Sequence, residues 1–558
     1  MRIPHTHVRS TRLAGALALA MVTVASSTMS AQYNDDHGKT DHSGNSSHSW
    51  PAWGGNLDNS HGTDDPSITT ENVRDLKLKW TFTTGGDVSS TPTVDDGSVY
   101  VTDWGGFIHR IQAETGKAIW SHNVSDYTGI DASLSRTSPA LSGDYVAFGD
   151  QGSANIVVVH KQDGALVWKK NLDTTRSAYI TSSPVIDGDR MYVGIASGQE
   201  GLAASDPTFV PNFRGSIVAL DLRTGAELWR MYTVPEGYTG GAVWGGNFAI
   251  DHKRGQLYAS TGNNYSIPAN ANSCISGAST PQAKVSCLDA ADAIDSVVAV
   301  DLKTGRSRWA RRLFAPDTWT VACTANPNLG IPCPDNPGPD FDFGSAPNFF
   351  TVRSGGQERD IVGAGEKSGM YWALDADTGT VLWGTQVGPG GTTGGIEWGS
   401  AVDGKRVYVA LNNSGRQTYT FPNGQSWNAG SWAALNALTG QIEWQIPASG
   451  QNPNNTALAA GATGQMSVAN GVVFAPSLSG DMVALDAASG KTLWKFASGG
   501  SVADGPSIVD GVVYWGSGYG HFKIGTANNK LYAFQVPGNN GHGGHGGDND
   551  HDGGGKRY

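Results

Sequence analysis

The chain has 558 residues, a formal net charge of −12 and only 16% charged residues, with glycine at 76 positions. Such acidity excludes nucleic-acid binding through phosphate contacts and leaves attraction to a cationic protein partner open. The length exceeds one ordinary compact core but suits a radial repeat, which can use it in a single domain.

Arg2, Arg9 and Arg12 precede the apolar run "LAGALALAMVTVA" at 13–25, which is too short to span a bilayer, and small residues follow it. Residues 1–30 therefore read as a secretory signal peptide cleaved between 25 and 31, and the mature chain as a soluble exported protein, periplasmic or secreted, without stable membrane insertion. Removing those residues takes away three arginines and no acids, which moves the charge from −12 to −15. Residues 31–49 and the tail 537–558 are rich in Gly, Asp, His and Asn and offer little to bury; both are expected to be disordered. Their histidines read as solvated, with metal scavenging as the competing reading.

Between the tails one phrase recurs. "IVALDLRTGAELW" at 217–229 returns as "VVAVDLKTGRSRW" at 297–309, "YWALDADTGTVLW" at 371–383, "WAALNALTGQIEW" at 432–444 and "MVALDAASGKTLW" at 482–494, with looser copies at 108–120 and 157–168. In the unit 89–120, four short β-prone runs are separated by Asp96-Gly97, Gly105-Gly106 and Thr115-Gly116. Such turns supply the positive φ of tight hairpins, so each unit predicts a four-stranded antiparallel sheet. The closing tryptophans are Trp80, Trp120, Trp168, Trp229, Trp309, Trp383, Trp444 and Trp494. The last unit, "NKLYAFQV" at 529–536, lacks one, and the early "LKLKWTFTTGG" at 76–86 supplies it. The prediction is an all-β, eight-bladed β-propeller over 50–536, closed by both ends of the chain so that no sheet edge stays open.

Function must come from what breaks the repeat. The spacing between tryptophans is longest from Trp168 to Trp444, where four insertions carry polar residues: Glu200 in 194–216, Trp244 and Asn263 in 243–266, Asp340 and Asp342 in 337–350, and Lys367 in 363–375. Carboxylates and a carboxamide converging on the channel would make an all-oxygen site for a hard cation. The four cysteines, all in this region, pair most simply as 274–287 and 323–333. "GAGEKSG" is not a phosphate loop, because Glu366 stands where glycine must precede the lysine and no helix is expected after it. No strand–GxGxxG–helix unit marks a nicotinamide site, and no C-x-x-C-H marks a c-type haem.

The repeat resembles the tryptophan-docking motif A-x-D-x-x-T-G-x-x-x-W of the quinoprotein alcohol dehydrogenases, which hold pyrroloquinoline quinone (PQQ) over the channel of an eight-bladed propeller. The likeness spans roughly 50–536 and is nearest to the secreted polyvinyl alcohol dehydrogenase branch, on "SWPAWGGNLDNSH" and "DFDFGSAP". It implies metal binding by Glu200 of "SGQE", Asn263 of "STGN", Asp340 and Asp342. It implies Asp340 as the catalytic proton acceptor, Lys367 as the basic residue on the quinone 27 positions later, and Trp244 as the floor under the ring. Arg136 of "LSRTSP" would bind a cofactor carboxylate, and Thr181 of "ITSSP" would line the site. Cations suit the carboxylates of PQQ, and an aromatic face suits its plane. The implied reaction is oxidation of secondary alcohols, polyvinyl alcohol foremost, with electrons passed to an external cytochrome c. The implied metal is calcium, with a lanthanide second because Asp342 follows Asp340 by two. The family's paired cysteines over the ring are missing from "GIDASLSR" at 129–136. A non-catalytic propeller scaffold of the cell envelope and a PQQ enzyme for small alcohols or sugars are the alternatives.

Overall fold

The structure, a computed structural model, describes residues 48–324 and 333–538. The expected signal peptide, almost all of 31–49 and the tail from 539 lie outside the described residues. Among the described residues eight antiparallel sheets of four strands form a ring. In the first blade the strands are Thr93–Asp95, Ser98–Thr102, Phe107–Gln112 and Ala118–Asn123, and the first hairpin turns on Asp96 (φ 48°) and Gly97 (φ 65°). Third strands such as Asp481–Asp486 are almost wholly buried, whereas outer strands such as Thr492–Ala497 alternate between exposed and half-buried. One lies between two neighbouring strands, while the other forms the rim. The eighth blade closes as expected: Lys77–Thr83 pairs with Lys530–Gln535, Trp80 opposite Ala533.

The recurring tryptophan locks each blade to the next. The Trp229 ring lies on Gly305 of the following blade, where a Cβ would stand 2.5 Å from it, and its Nε1 donates to Leu302 O at 3.0 Å. Trp80, Trp120, Trp168, Trp309 and Trp444 repeat this, each over a glycine and bonded to a carbonyl of the next blade. Trp494 donates to Leu76 O across the closure. Trp383 packs on Gly440, but its Nε1 has no partner. The Thr-Gly turn is thus required twice, for its positive φ and for the space its missing Cβ leaves. Gly305→Ala should lower stability by about 1–3 kcal/mol and depress Tm. Gly255→Ala, at φ 63° but facing open space, should cost less. Equal losses would show that φ alone matters.

The long inserts emerge between strands. The helices Ala269–Gly277 and Pro281–Val285 are joined by the disulfide Cys274–Cys287, and Cys323–Cys333 forms the other expected pair. Asn272 Nδ2 donates to Asp335 at 2.9 Å, and Asn336 Nδ2 to Ser276 Oγ at 2.9 Å. The two bridged segments are thereby joined just before the chain reaches Asp340.

Candidate active site

Asp340 and Asp342 are buried, 2% and 3% exposed. The Lys367 ammonium lies 3.0 Å from Asp340 Oδ1 and 2.6 Å from Asp342 Oδ1. Trp244 Nε1 donates to Asp342 Oδ2 at 2.6 Å, and the ammonium stands 5.1 Å from the Trp244 ring centre. Local structure enforces this convergence. Asp340 has φ 62°, a conformation that Asp tolerates better than most residues. Buried Asp317 accepts from the N–H groups of Asp340 (3.2 Å) and Phe341 (2.7 Å) and so pins the segment. Lys367 occupies the tight turn between Gln357–Gly365 and Met370–Asp375, a hairpin with no helix after it. Its N–H bonds Asp342 O at 3.1 Å.

Glu200 sits on a short helix, Gln199–Ser205, rather than in the open insertion its sequence suggests. The buried Gln199 beside it fixes that helix by accepting from Asn212 N (2.9 Å) and Phe213 N (3.0 Å) and donating to Arg176 O (3.0 Å). Asn263 is buried within hydrogen-bonding reach of Glu200. Its NH2 donates to Asn264 O and Trp319 O at 3.0 Å each. Three carboxylates and the Asn263 amide oxygen are hard donors of the kind calcium and lanthanides take, but among the described residues no three acid, histidine or cysteine side chains are grouped so as to hold a metal ion.

The electrostatics point the same way. Around Lys367 and Arg136 the chain gathers Glu200, Asp295, Asp317, Asp340, Asp342, Glu366 and Glu397. Seven acids face two cations, and neither carboxylate oxygen of the fully buried Asp295 has a partner. Burial pushes Glu200 up to about 8, Glu366 and Glu397 to about 7 and Asp317 to about 6. It drives Asp340 well above its ordinary value against the pull of Lys367. Burial alone would lower the Lys367 ammonium, but Asp340 and Asp342 raise it. These acids have folded pKa values above their unfolded ones, so the metal-free folded chain binds more protons than the unfolded chain between about pH 4 and about pH 8. Its stability must fall as pH rises through that window, at roughly 1.4 kcal/mol per pH unit for each group before coupling. Tm of the metal-free protein should be lower at pH 8 than at pH 5; a rise over that interval would contradict the assignment.

A cavity partly open to solvent, with about 40 Å³ of room for water, adjoins this cluster, and its walls include Arg136, Thr181, Trp244, Trp398 and Tyr519. Thr181 Oγ1 donates to Trp244 O at 3.0 Å and holds that backbone. Arg136 lies close enough to the Tyr519 hydroxyl to oppose the rise that burial gives its pKa. Tyr519 in turn meets Trp398 edge-on, ring centres 5.0 Å apart. The structure thus gathers Glu200, Asn263, Asp340, Asp342, Lys367 and Trp244 into one neighbourhood, with Arg136 and Thr181 on the cavity wall that Trp244 shares. Sequence reading missed Asp295, Asp317, Glu366, Glu397, Trp398 and Tyr519. The "EWGS" around Trp398 parallels the "VWGG" around Trp244 and was the available signal.

The ring of blades defines the class of eight-bladed β-propellers, and comparison with known proteins narrows it. The family described as glucose/ethanol/alcohol dehydrogenase, β-propeller domain, matches residues 145–332, and the outer membrane protein assembly factor BamB family matches 61–209 and 356–536. The chain is 30% identical over 534 residues to a polyvinylalcohol dehydrogenase of Sphingopyxis sp., covering 88% of this chain and 76% of that one. It is 29% identical to one from Pseudomonas sp., covering 88% and 77%. A crystal structure of the quinohemoprotein alcohol dehydrogenase of Comamonas testosteroni shares the fold, with TM-score 0.65, 20% identity and coverage of 88% and 80%. The chain belongs to the PQQ-dependent quinoprotein alcohol dehydrogenases and is an enzyme of the polyvinyl alcohol dehydrogenase type.

Proposed function

We propose that the cavity beside Trp244 binds PQQ and that the enzyme oxidises secondary alcohol groups, those of polyvinyl alcohol foremost, to ketones. The observation that carries this is the buried Asp340 held by Lys367, whose ammonium stands over the Trp244 ring. Arg136 at the cavity wall supplies a cation for a cofactor carboxylate, Thr181 fixes the backbone beneath, and the Trp244 ring offers a flat face for a planar ligand. Glu200, Asn263, Asp340 and Asp342 would hold a calcium ion, or a lanthanide, whose Lewis acidity polarises a bound oxygen. When bound, PQQ supplies the hydride acceptor. Asp340 takes the alcohol proton, and Lys367 keeps that carboxylate turned to its task. Electrons then leave to an external one-electron acceptor, for which a cytochrome c is the proposed partner. The N-terminal thirty residues would direct export to the periplasm or beyond, and no described helix is long and apolar enough to cross a membrane. The propeller would span 50–536.

The match to the assembly-factor family favours a scaffold as the second reading. That match, however, skips 210–355, which carries Trp244, Asn263, Asp340 and Asp342. Titrating purified protein with PQQ and calcium, then following dye reduction with a secondary alcohol and with polyvinyl alcohol, separates the readings. PQQ-dependent turnover is expected. Absence of PQQ binding under both calcium and a lanthanide would leave the scaffold.

A further inference from the structure

The segment 50–65 winds around the inside of the ring. Trp50 and Val94 exchange backbone hydrogen bonds at 2.8 and 2.9 Å. Pro51 O then accepts from Leu141 N (2.8 Å), Leu57 O from Ile250 N (2.7 Å), Asp58 O from Phe349 N (2.9 Å), Ser60 O from Val402 N (2.9 Å) and His61 O from Val468 N (2.9 Å). Each of these partners is the second residue of an innermost strand, in blades 1, 2, 4, 5, 6 and 7 in that order. Asp65 completes the circuit by accepting from Gly511 N of blade 8 at 2.7 Å. The belt satisfies strand edges that would otherwise face the channel unpaired.

The belt also carries one large side chain into the cavity. Trp53 is 6% exposed and lines it. Cβ atoms at Gly399 and Gly246 would stand 2.6 and 3.1 Å from the tip of its indole, so both positions leave it space. With the Gln465 amide oriented so that its oxygen also accepts from Gly505 N at 2.9 Å, Trp53 Nε1 donates to that oxygen at 3.2 Å. The fully buried His61 ring backs it edge-on, 4.3 Å between centres. Apart from Tyr519, which follows the second strand of blade 8, the other cavity walls lie two to five residues before the innermost strands, whereas the belt pairs within those strands. Trp53 thus enters the cavity from the belt, and its indole tip meets Gly246 and Gly399, just past Trp244 and Trp398 in the wall segments.

We propose that Trp53 is the plug of the channel, a positioning residue that makes the cofactor cavity blind at its inner end, so that solvent reaches a bound cofactor only through the mouth. This rests on the reading of the cavity as the PQQ site. A water-filled shaft beneath the ring would weaken every polar contact made there, and a closed apolar floor avoids it.

Two measurements on the full chain decide the matter. Crystal structures of the metal- and PQQ-free variants W53G and W53F should show a continuous water-filled channel in the first and closure in the second, with thermal unfolding confirming that both fold. If W53G does not fold, W53L, apolar but narrower, gives the same comparison. Collapse of Gly246, Gly399 or Gln465 into the gap would overturn the plug. Secondly, the natural cysteines are all in disulfides, so S138C places a single thiol on the cavity wall, at a hydroxyl that has no hydrogen-bond partner. In PQQ-loaded protein that thiol should react with a small methanethiosulfonate at least about tenfold faster in S138C/W53G than in S138C, with W53F restoring protection. Equal rates would overturn the proposal. If PQQ binds to none of the proteins, the reading of the cavity fails, while the crystal structures still judge the plug.

Discussion

Asp340→Asn should lower kcat for a secondary alcohol by about 10²- to 10⁴-fold, the range over which a positioned general base contributes, while PQQ still binds. The substitution is conservative in every other respect. Asn tolerates the left-handed backbone that Asp340 adopts at φ 62°, as Asp does, so the segment should not refold. Its amide oxygen can still accept from the Lys367 ammonium, 3.0 Å away in the native site. The N–H groups of Asp340 and Phe341 still reach Asp317. Only basicity and one negative charge disappear. Steady-state dye reduction should therefore show a collapse in kcat, alongside a PQQ titration within a few-fold of the native one. A variant that retains turnover within about threefold would remove Asp340 from the proton transfer and turn attention to Asp342. Asp342 is less suited to that task, because one of its oxygens is already committed to Trp244 Nε1.

The architecture was legible because its signals are periodic. The turn glycine and the closing tryptophan follow from a steric need met in each of the first seven blades, and a repeated need leaves a repeated residue pattern. The cysteine pairs were legible because few loops of that length admit another solution. Glu200, Asn263, Asp340 and Lys367 stood out as polar residues in the inserts, and their gathering follows from the ring, which brings loops from successive blades over one axis. Asp295, Asp317, Glu366 and Glu397 were not legible. A single acid in a loop looks the same whether it is solvated or buried, and burial here depends on neighbours far away in sequence. Asp317 pins the Asp340 segment through backbone contacts with residues more than twenty positions on. The helix at Glu200 is held by Gln199 reaching residues 212 and 213, a tertiary tie that no local propensity encodes. The belt left a partial trace: "PAWGG" at 51–55 carries the same Trp-Gly step as "VWGG" and "EWGS", but its partners are the edges of strands from across the whole chain.

Lys367→Met should destabilise the metal-free protein by about 3–5 kcal/mol at pH 8, the usual penalty for stripping one partner from a buried ion pair, and by clearly less at pH 5. The ammonium is 9% exposed and contacts two carboxylates within 3.0 Å, so methionine fills similar volume but leaves those charges uncompensated. Burial already raises the Asp340 pKa, and Lys367 is the group that holds it down. Without it the folded-state pKa moves further above the unfolded one. The added proton affinity shelters the variant at acid pH, and the shelter is lost as pH rises. The gap in Tm between native and variant proteins must therefore widen from pH 5 to pH 8. Calcium supplies a second check. If Glu200, Asn263, Asp340 and Asp342 hold the ion, millimolar calcium should restore more Tm to the variant than to the native protein at pH 8, because the ion takes over a charge that the native site keeps in Lys367. A Tm loss that is equal at both pH values and indifferent to calcium would mean that Lys367 acts by packing on Trp244 rather than by charge, and the acidic cluster would then need another counter-ion.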